Sequence, residues 1–213
     1  MSSDITLVGI GPGSPDYLLP VARREIEKAQ VLVGGREALK TYALKDQDTF
    51  PITGKLEKVI SYLEQVPSGK KVVVLVSGDP GFYSFLSYLK EKMPSRELKV
   101  IPGISAFQVA FARIRSSWHE ASLFSLHGRR IENLVSFIEE KLREVPRVAF
   151  LTDNHLTPDE VARILLEEGF PGETPLYVLT DLTLPTEKVE RMSLEEAARK
   201  KEKGNSVVVL GDV

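Results

Sequence analysis

The stretch Gly9-Ile10-Gly11-Pro12-Gly13-Ser14 follows a short apolar run, Ile5 to Val8, and reads as a strand-to-loop glycine turn that brings backbone close to a ligand. It fails the dinucleotide fingerprint. That pattern has glycine at its first, third and sixth positions and an acidic residue about 20 residues on to hold a ribose hydroxyl. Here the sixth position is Ser14, Pro12 stiffens the loop, and the next apolar strand, Val31 to Val33, runs into Gly34, Gly35 and Arg36. A nicotinamide cofactor is disfavoured. Ser77-Gly78-Asp79-Pro80-Gly81 follows another apolar run, Val72 to Val76. Gly78 would let backbone approach a ligand. Asp79 either offers a carboxylate to a hydroxyl or ammonium donor, or caps a helix with Pro80 in its first turn. Pro102-Gly103 with Ser105, after Leu98 to Ile101, is open to the same two readings.

Between residues 113 and 130 stand Arg113, Arg115, His119, His127, Arg129 and Arg130 against one acid, Glu120, in a chain of net charge −2. Arginine suits bidentate recognition of carboxylates. The alternative is a solvated helix end and a cation-rich turn, which is where charged side chains usually lie. His127-Gly128-Arg129-Arg130, at a strand end, is the better carboxylate site of the two halves of this patch.

Other chemistries are missing. With no cysteine there is no disulfide, thiolate nucleophile or cysteine-bound zinc or iron–sulfur centre. The three histidines, His119, His127 and His155, form no local helical ligand pair, so no protein-held metal is expected. There is no Gly-x-Ser-x-Gly elbow and no Gly-Lys-Ser/Thr phosphate loop. The acidic pairs Glu139-Glu140 and Glu167-Glu168 read as solvated helix faces. Composition is that of an ordinary globular protein, with no general pull toward nucleic acid or membrane. No leader or spanning segment is visible, so a cytoplasmic location is expected.

The elements that must carry these loops alternate. Ile5 to Val8, Val31 to Val33, Val72 to Val76 and Leu98 to Ile101 are β-rich runs. The helical spacings between them include Val21 to Ala29, with Pro20 in the first turn, Leu56 to Leu63 and Phe82 to Met93. The pattern predicts an α/β fold with a mostly parallel sheet, in which Val72 to Val76 is central because it is apolar on both faces. After a helix over 107–114, the segment Arg115-Ser116-Ser117 marks the expected boundary between an N-terminal domain, 1–116, and a C-terminal one, 117–213. The second half shows strands at 121–126, 147–151, 176–179, 188–192 and 207–210. One helical face runs from Ile131 to Leu142, and capping boxes stand at Thr157-Pro158-Asp159-Glu160 and Ser193-Leu194-Glu195-Glu196. Only one helix separates the last three strands, so this sheet is expected to be mixed.

Taken in order, Gly9-Ile10-Gly11-Pro12-Gly13, Ser77-Gly78-Asp79-Pro80-Gly81-Phe82-Tyr83 and Pro102-Gly103-Ile104-Ser105-Ala106 resemble the tetrapyrrole (corrin/porphyrin) methylase family. Ala110-Phe111-Ala112-Arg113, Trp118 and Ser125-Leu126-His127-Gly128-Arg129 look like its cobalt-precorrin-7 C5-methylating branch in cobalamin synthesis. The resemblance covers essentially the whole chain. It implies two α/β domains with the active site in the cleft between them, S-adenosylmethionine as methyl donor, and a homodimer. Pro12, Gly78, Asp79, Phe82, Ser105 and Ala106 would line the donor pocket, and Leu151 and Thr152 would touch the adenosine. Gly11, Gly13, His127, Arg129 and Arg130 would meet the tetrapyrrole acceptor. The C15-methylating, decarboxylating activity of the fused relatives would belong to a separate partner, and any cobalt would arrive in the substrate. Sister enzymes with other acceptors, such as another precorrin, a diphthamide-type protein or ribosomal RNA, would share the donor loops. So would a silent binding module. One departure stands out: relatives of the branch tend to an acidic-Asn-Leu-Gly pattern after the strand at 176–179, where this chain has Thr180-Asp181-Leu182-Thr183.

Overall fold

The computed structural model describes residues 4–127, 131–202 and 205–212, and the chain divides into two compact units, Met1–Ser105 and Ala106–Val213. In the first, strands and helices alternate as β1 (Asp4–Gly9), α1 (Pro20–Lys28), β2 (Val31–Gly34), α2 (Arg36–Tyr42), β3 (Asp48–Pro51), α3 (Leu56–Gln65), β4 (Lys71–Val76), α4 (Phe85–Lys92) and β5 (Leu98–Ile101). The sheet is wholly parallel, in the order β3-β2-β4-β1-β5. β4 is its middle strand, as its unbroken apolar run requires. Val72 and Val74 pack with Ile5, Leu7 and the α3 residues Val59 and Leu63 on one face. Val73 and Leu75 pack with Val8, Leu32 and the α1 residues Ala22 and Ile26 on the other.

Three local features differ from the sequence expectation. Strand β3 and helix α2 carry little apolar pattern because β3 is a largely exposed edge ending in Pro51, and α2 buries no residue completely. Helix α4 starts at Phe85, three residues after the expected Phe82, because Ser84 caps it by accepting from the Leu86 N–H. Asp79 therefore does not cap α4.

The second unit holds α5 (Ala106–Arg113), β6 (Ala121–Ser125), α6 (Leu134–Glu144), β7 (Arg147–Leu151), α7 (Pro158–Glu167), β8 (Pro175–Thr180), β9 (Lys188–Ser193), α8 (Leu194–Arg199) and β10 (Ser206–Gly211). Its mixed sheet runs β6-β7-β10-β8-β9. β10 is antiparallel to both of its neighbours and β6 is parallel to β7, so β6, β7 and β8 all point the same way. Phe124, Phe150, Val178 and Val208 form a core with Ile138 of α6, Leu165 of α7 and Leu194 of α8.

The expected capping box at Ser193 forms in full, with Ser193 and Glu196 each accepting from the other's backbone. The one at Thr157 does not. Its side chain makes no cap bond and turns instead to Asp159. Burial pushes the Asp159 carboxyl up, but hydrogen bonds from Thr157 and Arg163 outweigh it and hold the group below its usual range.

Candidate active site

β1, β4 and β5 are neighbours, so the loops leaving their carboxyl ends meet at the edge where parallel α/β sheets bind ligands. The meeting is a backbone contact among three glycines. A β-carbon on Gly9 would lie 2.6 Å from both the Gly103 nitrogen and the Gly78 oxygen. One on Gly103 would lie 2.8 Å from the Gly9 α-carbon and nearer still to the Gly78 oxygen. Gly11, at φ +79°, bridges to Gly78, whose N–H donates to the Gly11 carbonyl at 2.8 Å. Gly78 sits at φ +67°, and the space where its β-carbon would stand is open apart from the Ser105 α-carbon at 3.8 Å. Among the described residues, no main-chain atom fills that space as it does at Gly9 and Gly103.

Asp79 locks the arrangement. One carboxylate oxygen accepts from the Gly81 N–H at 2.8 Å, and the other accepts from the Gly103 N–H at 3.0 Å, joining the loop after β4 to the loop after β5. Ser14 departs from the dinucleotide pattern for a local reason: its side chain accepts from the Asp16 N–H and caps a 3-10 turn, Pro15–Tyr17. The loop turns into that cap where a dinucleotide site would begin its helix. Gly11, Pro12, Gly13, Gly78, Asp79, Phe82 and Ser105 thus lie in loops of one edge, and Ala106 opens α5. Phe82 packs edge-on against Tyr83, their centroids 4.6 Å apart, and Tyr83 itself holds φ +46°.

In the second unit the ends of β6, β7 and β8 define another edge. The pairing runs one residue past each strand: Leu126 N–H donates to the Leu151 carbonyl, Thr152 N–H to that of Ser206, and Asp181 N–H to that of Asn205. His127 and Leu151-Thr152 therefore share this edge, with His127 exposed and Thr152 buried. Arg129 and Arg130, with Gly128, lie outside the described residues. Four hydroxyl residues are buried here, Ser125, Thr152, Thr180 and Ser206. Thr180 Oγ1 and Ser206 Oγ are 2.9 Å apart, and Thr152 Oγ1 donates to the Ser206 carbonyl at 3.3 Å. Sequence reading missed Thr180 and Ser206 because each looks like an ordinary strand end. Arg113, from the cationic stretch, has a protein partner of its own. It pairs with Glu187, 2.6 Å from Nε to Oε1. His119 Nδ1 lies 2.5 Å from the Ser117 hydroxyl on an exposed segment. Among the described residues no three His, Asp or Glu side chains gather as metal ligands, and no helix is long and apolar enough to cross a membrane.

One sheet edge is thus walled by glycine loops in main-chain contact and the other by buried hydroxyls, in an α/β chain of two compact units. The family model for Tetrapyrrole (Corrin/Porphyrin) Methylases matches residues 4–198, and the chain belongs to that family. It is 32% identical over 199 residues, 91% of each chain, to the probable cobalt-precorrin-7 C(5)-methyltransferase of Methanocaldococcus jannaschii. It is 30% identical over 208 residues, 98% of this chain and 99% of the relative, to the cobalt-precorrin-7 C(5)-methyltransferase of Salmonella typhimurium. Among solved structures, the uroporphyrin-III C-methyltransferase of Thermus thermophilus complexed with S-adenosylhomocysteine has the same fold, with a TM-score of 0.76 at 22% identity over 98% of this chain and 92% of that one.

Proposed function

We propose that this protein is an S-adenosylmethionine-dependent C-methyltransferase of cobalamin biosynthesis that methylates C5 of cobalt-precorrin-7. The observation that carries the donor assignment is the open backbone at Gly78, held in a left-handed conformation inside the fused glycine loops. The acceptor assignment rests on the two relatives that are similar over nearly the whole chain.

S-adenosylmethionine supplies a methyl group already activated on a sulfonium. The residues need only bind, orient and exclude water. Holding the attacking carbon roughly 3 to 3.5 Å from the methyl can by itself contribute on the order of 7 kcal/mol. Gly78, with Pro12, Phe82, Ser105 and Ala106, lines the donor pocket. Asp79 acts chiefly by fixing the loops, and Leu151 and Thr152 add contact to the adenosine. Gly11, Gly13, His127, Arg129 and Arg130 meet the acceptor, whose several carboxylates must find local cations in a chain of net charge −2. The protein works as a homodimer, with the C15 chemistry left to another protein.

Calorimetry should show saturable binding of S-adenosylhomocysteine and none of NAD or ATP. Tight NAD binding would overturn the donor assignment. Methyl transfer to cobalt-precorrin-7, with the product mapped by NMR, tests the acceptor, and methylation at any other carbon would refute the C5 assignment.

Arg129→Ala, and to a lesser degree His127→Ala, should raise the acceptor KM and leave the donor Kd unchanged. Loss of one charge-assisted hydrogen bond costs about 1.5 to 3 kcal/mol. Added salt should weaken the acceptor more than the donor, because exposed ion pairs are screened. A raised donor KM with an unchanged acceptor KM would put these cations on the wrong ligand.

A further inference from the structure

The glycine loops stand at the carboxyl end of the first sheet, and the amino end of the same sheet holds a cleft of its own. Its volume is about 510 Å³, and its walls are the opening residues of β1, β4 and β5 and the last turn of α1. Small-molecule pockets run from about 300 to 1,000 Å³.

Strand parity decides which side chains face the cleft. Val8 and Val73 pack against α1, so Thr6, two residues before Val8 on β1, and Lys71, two before Val73 on β4, stand on that same face. Thr6 pairs with Val73 on one side and with Lys99 of β5 on the other, which brings Lys99 to this face too. Lys99 Nζ meets Glu25 Oε1 of α1 at 3.0 Å. Lys28, at the end of α1, completes the wall. Lysines from three elements thus converge on one threonine.

Two features of this wall are not explained by folding. Thr6 is only 7% exposed, yet its hydroxyl makes no hydrogen bond among the described residues. An apolar side chain would fill a strand position under a helix without burying an unpaired hydroxyl. Lys28 and Lys71 likewise form no ion pair or side-chain hydrogen bond among the described residues. The helix dipole favours a cation in the last turn of α1, which accounts for Lys28 but not for Lys71. The hydrogen bond from Lys99, with the nearby charges of Lys28 and Lys71, holds the Glu25 carboxyl below its usual range despite slight burial. With Glu25 engaged by Lys99, the charges left to a ligand are Lys28 and Lys71 against the exposed Glu97. Lysine holds phosphate as a point charge, and the planar arginine fork that matches a carboxylate is absent from the described lining.

We propose that this cleft binds a small organic phosphate, its phosphate group held by Lys28, Lys71 and the Thr6 hydroxyl. The site lies wholly within the first unit, at the end of the sheet away from the glycine loops, so it does not depend on the methyl-donor reading. The test uses the full chain in phosphate-free buffer at low, fixed ionic strength, with glycerol phosphate as the calorimetric probe. One saturable site is expected. Lys71→Gln should weaken it about tenfold, the effect of losing one charge-assisted hydrogen bond. Thr6→Val keeps the β-branched shape and should weaken binding about threefold, while the free protein melts no lower than wild type because the hydroxyl has no partner to lose. A lower melting temperature for free Thr6→Val would make the hydroxyl structural and overturn the assignment. Equal affinity for malonate would overturn the phosphate class. Probe binding that both substitutions left unchanged, or that saturating S-adenosylhomocysteine abolished, would place the anion elsewhere and overturn the site, as would the absence of saturable binding.

Discussion

Alanine at Gly103 should abolish measurable donor binding and destabilise the protein by about 3 kcal/mol or more, at the upper end of what forced overpacking costs. The added β-carbon would meet Gly9 backbone atoms at 2.8 Å and the Gly78 oxygen closer still. All of these are main-chain atoms, so no side chain can swing aside. Gly9→Ala should behave alike, with its β-carbon 2.6 Å from the Gly103 nitrogen and the Gly78 oxygen. Gly54→Ala is the control, since nothing lies within 4 Å of a β-carbon there and its φ is not left-handed. Thermal melts and calorimetry with S-adenosylhomocysteine read both effects. A Gly103→Ala protein that melted and bound like wild type would show that the loops are slack.

Asp79→Asn should lower stability and donor affinity together. The carboxylate serves two N–H donors, Gly81 at 2.8 Å and Gly103 at 3.0 Å, one on each oxygen. An asparagine can accept from one of them, but its NH₂ then faces the other donor. Leaving a partly buried amide unsatisfied costs about 1 to 3 kcal/mol, equivalent to roughly 5 °C in melting temperature for a chain of this size. Donor affinity should fall with it, because the Gly103 loop leads to Ser105. A variant that lost donor affinity at unchanged melting temperature would instead make Asp79 a direct ligand of the donor.

How far the sequence discloses this structure depends on where each instruction is written. The run from Val72 to Val76 is apolar at every position, which only a strand covered on both faces explains, and it is the middle of the first sheet. β10 and β7 announce themselves similarly. β3 is hidden because Asp48-Thr49-Phe50-Pro51 is an exposed edge, held partly by the Gln47 side chain donating to the Ile26 and Ala29 carbonyls. The glycine loops were legible as motifs, but their contact was not, because pattern shows that a position lacks a side chain and not what fills the space. Asp79 followed by proline has the local form of a helix cap, and only the approach of Gly103 reveals its other partner. Glu187 left no local signal at all. Its partners are Arg113, on a helix that sequence reading set apart as a cationic patch, and a backbone N–H that any residue would offer.

The contact among Gly9, Gly78 and Gly103 also bears on how such a site can change over evolution or in the laboratory. Three loops that share van der Waals surface along their main chains cannot be exchanged one at a time. A chimera taking only the β4 loop from a relative would have to bring its carbonyl into the same register against Gly9 and Gly103. The three segments are best exchanged as one block, so recombination points that keep their contact intact belong in the helices between them.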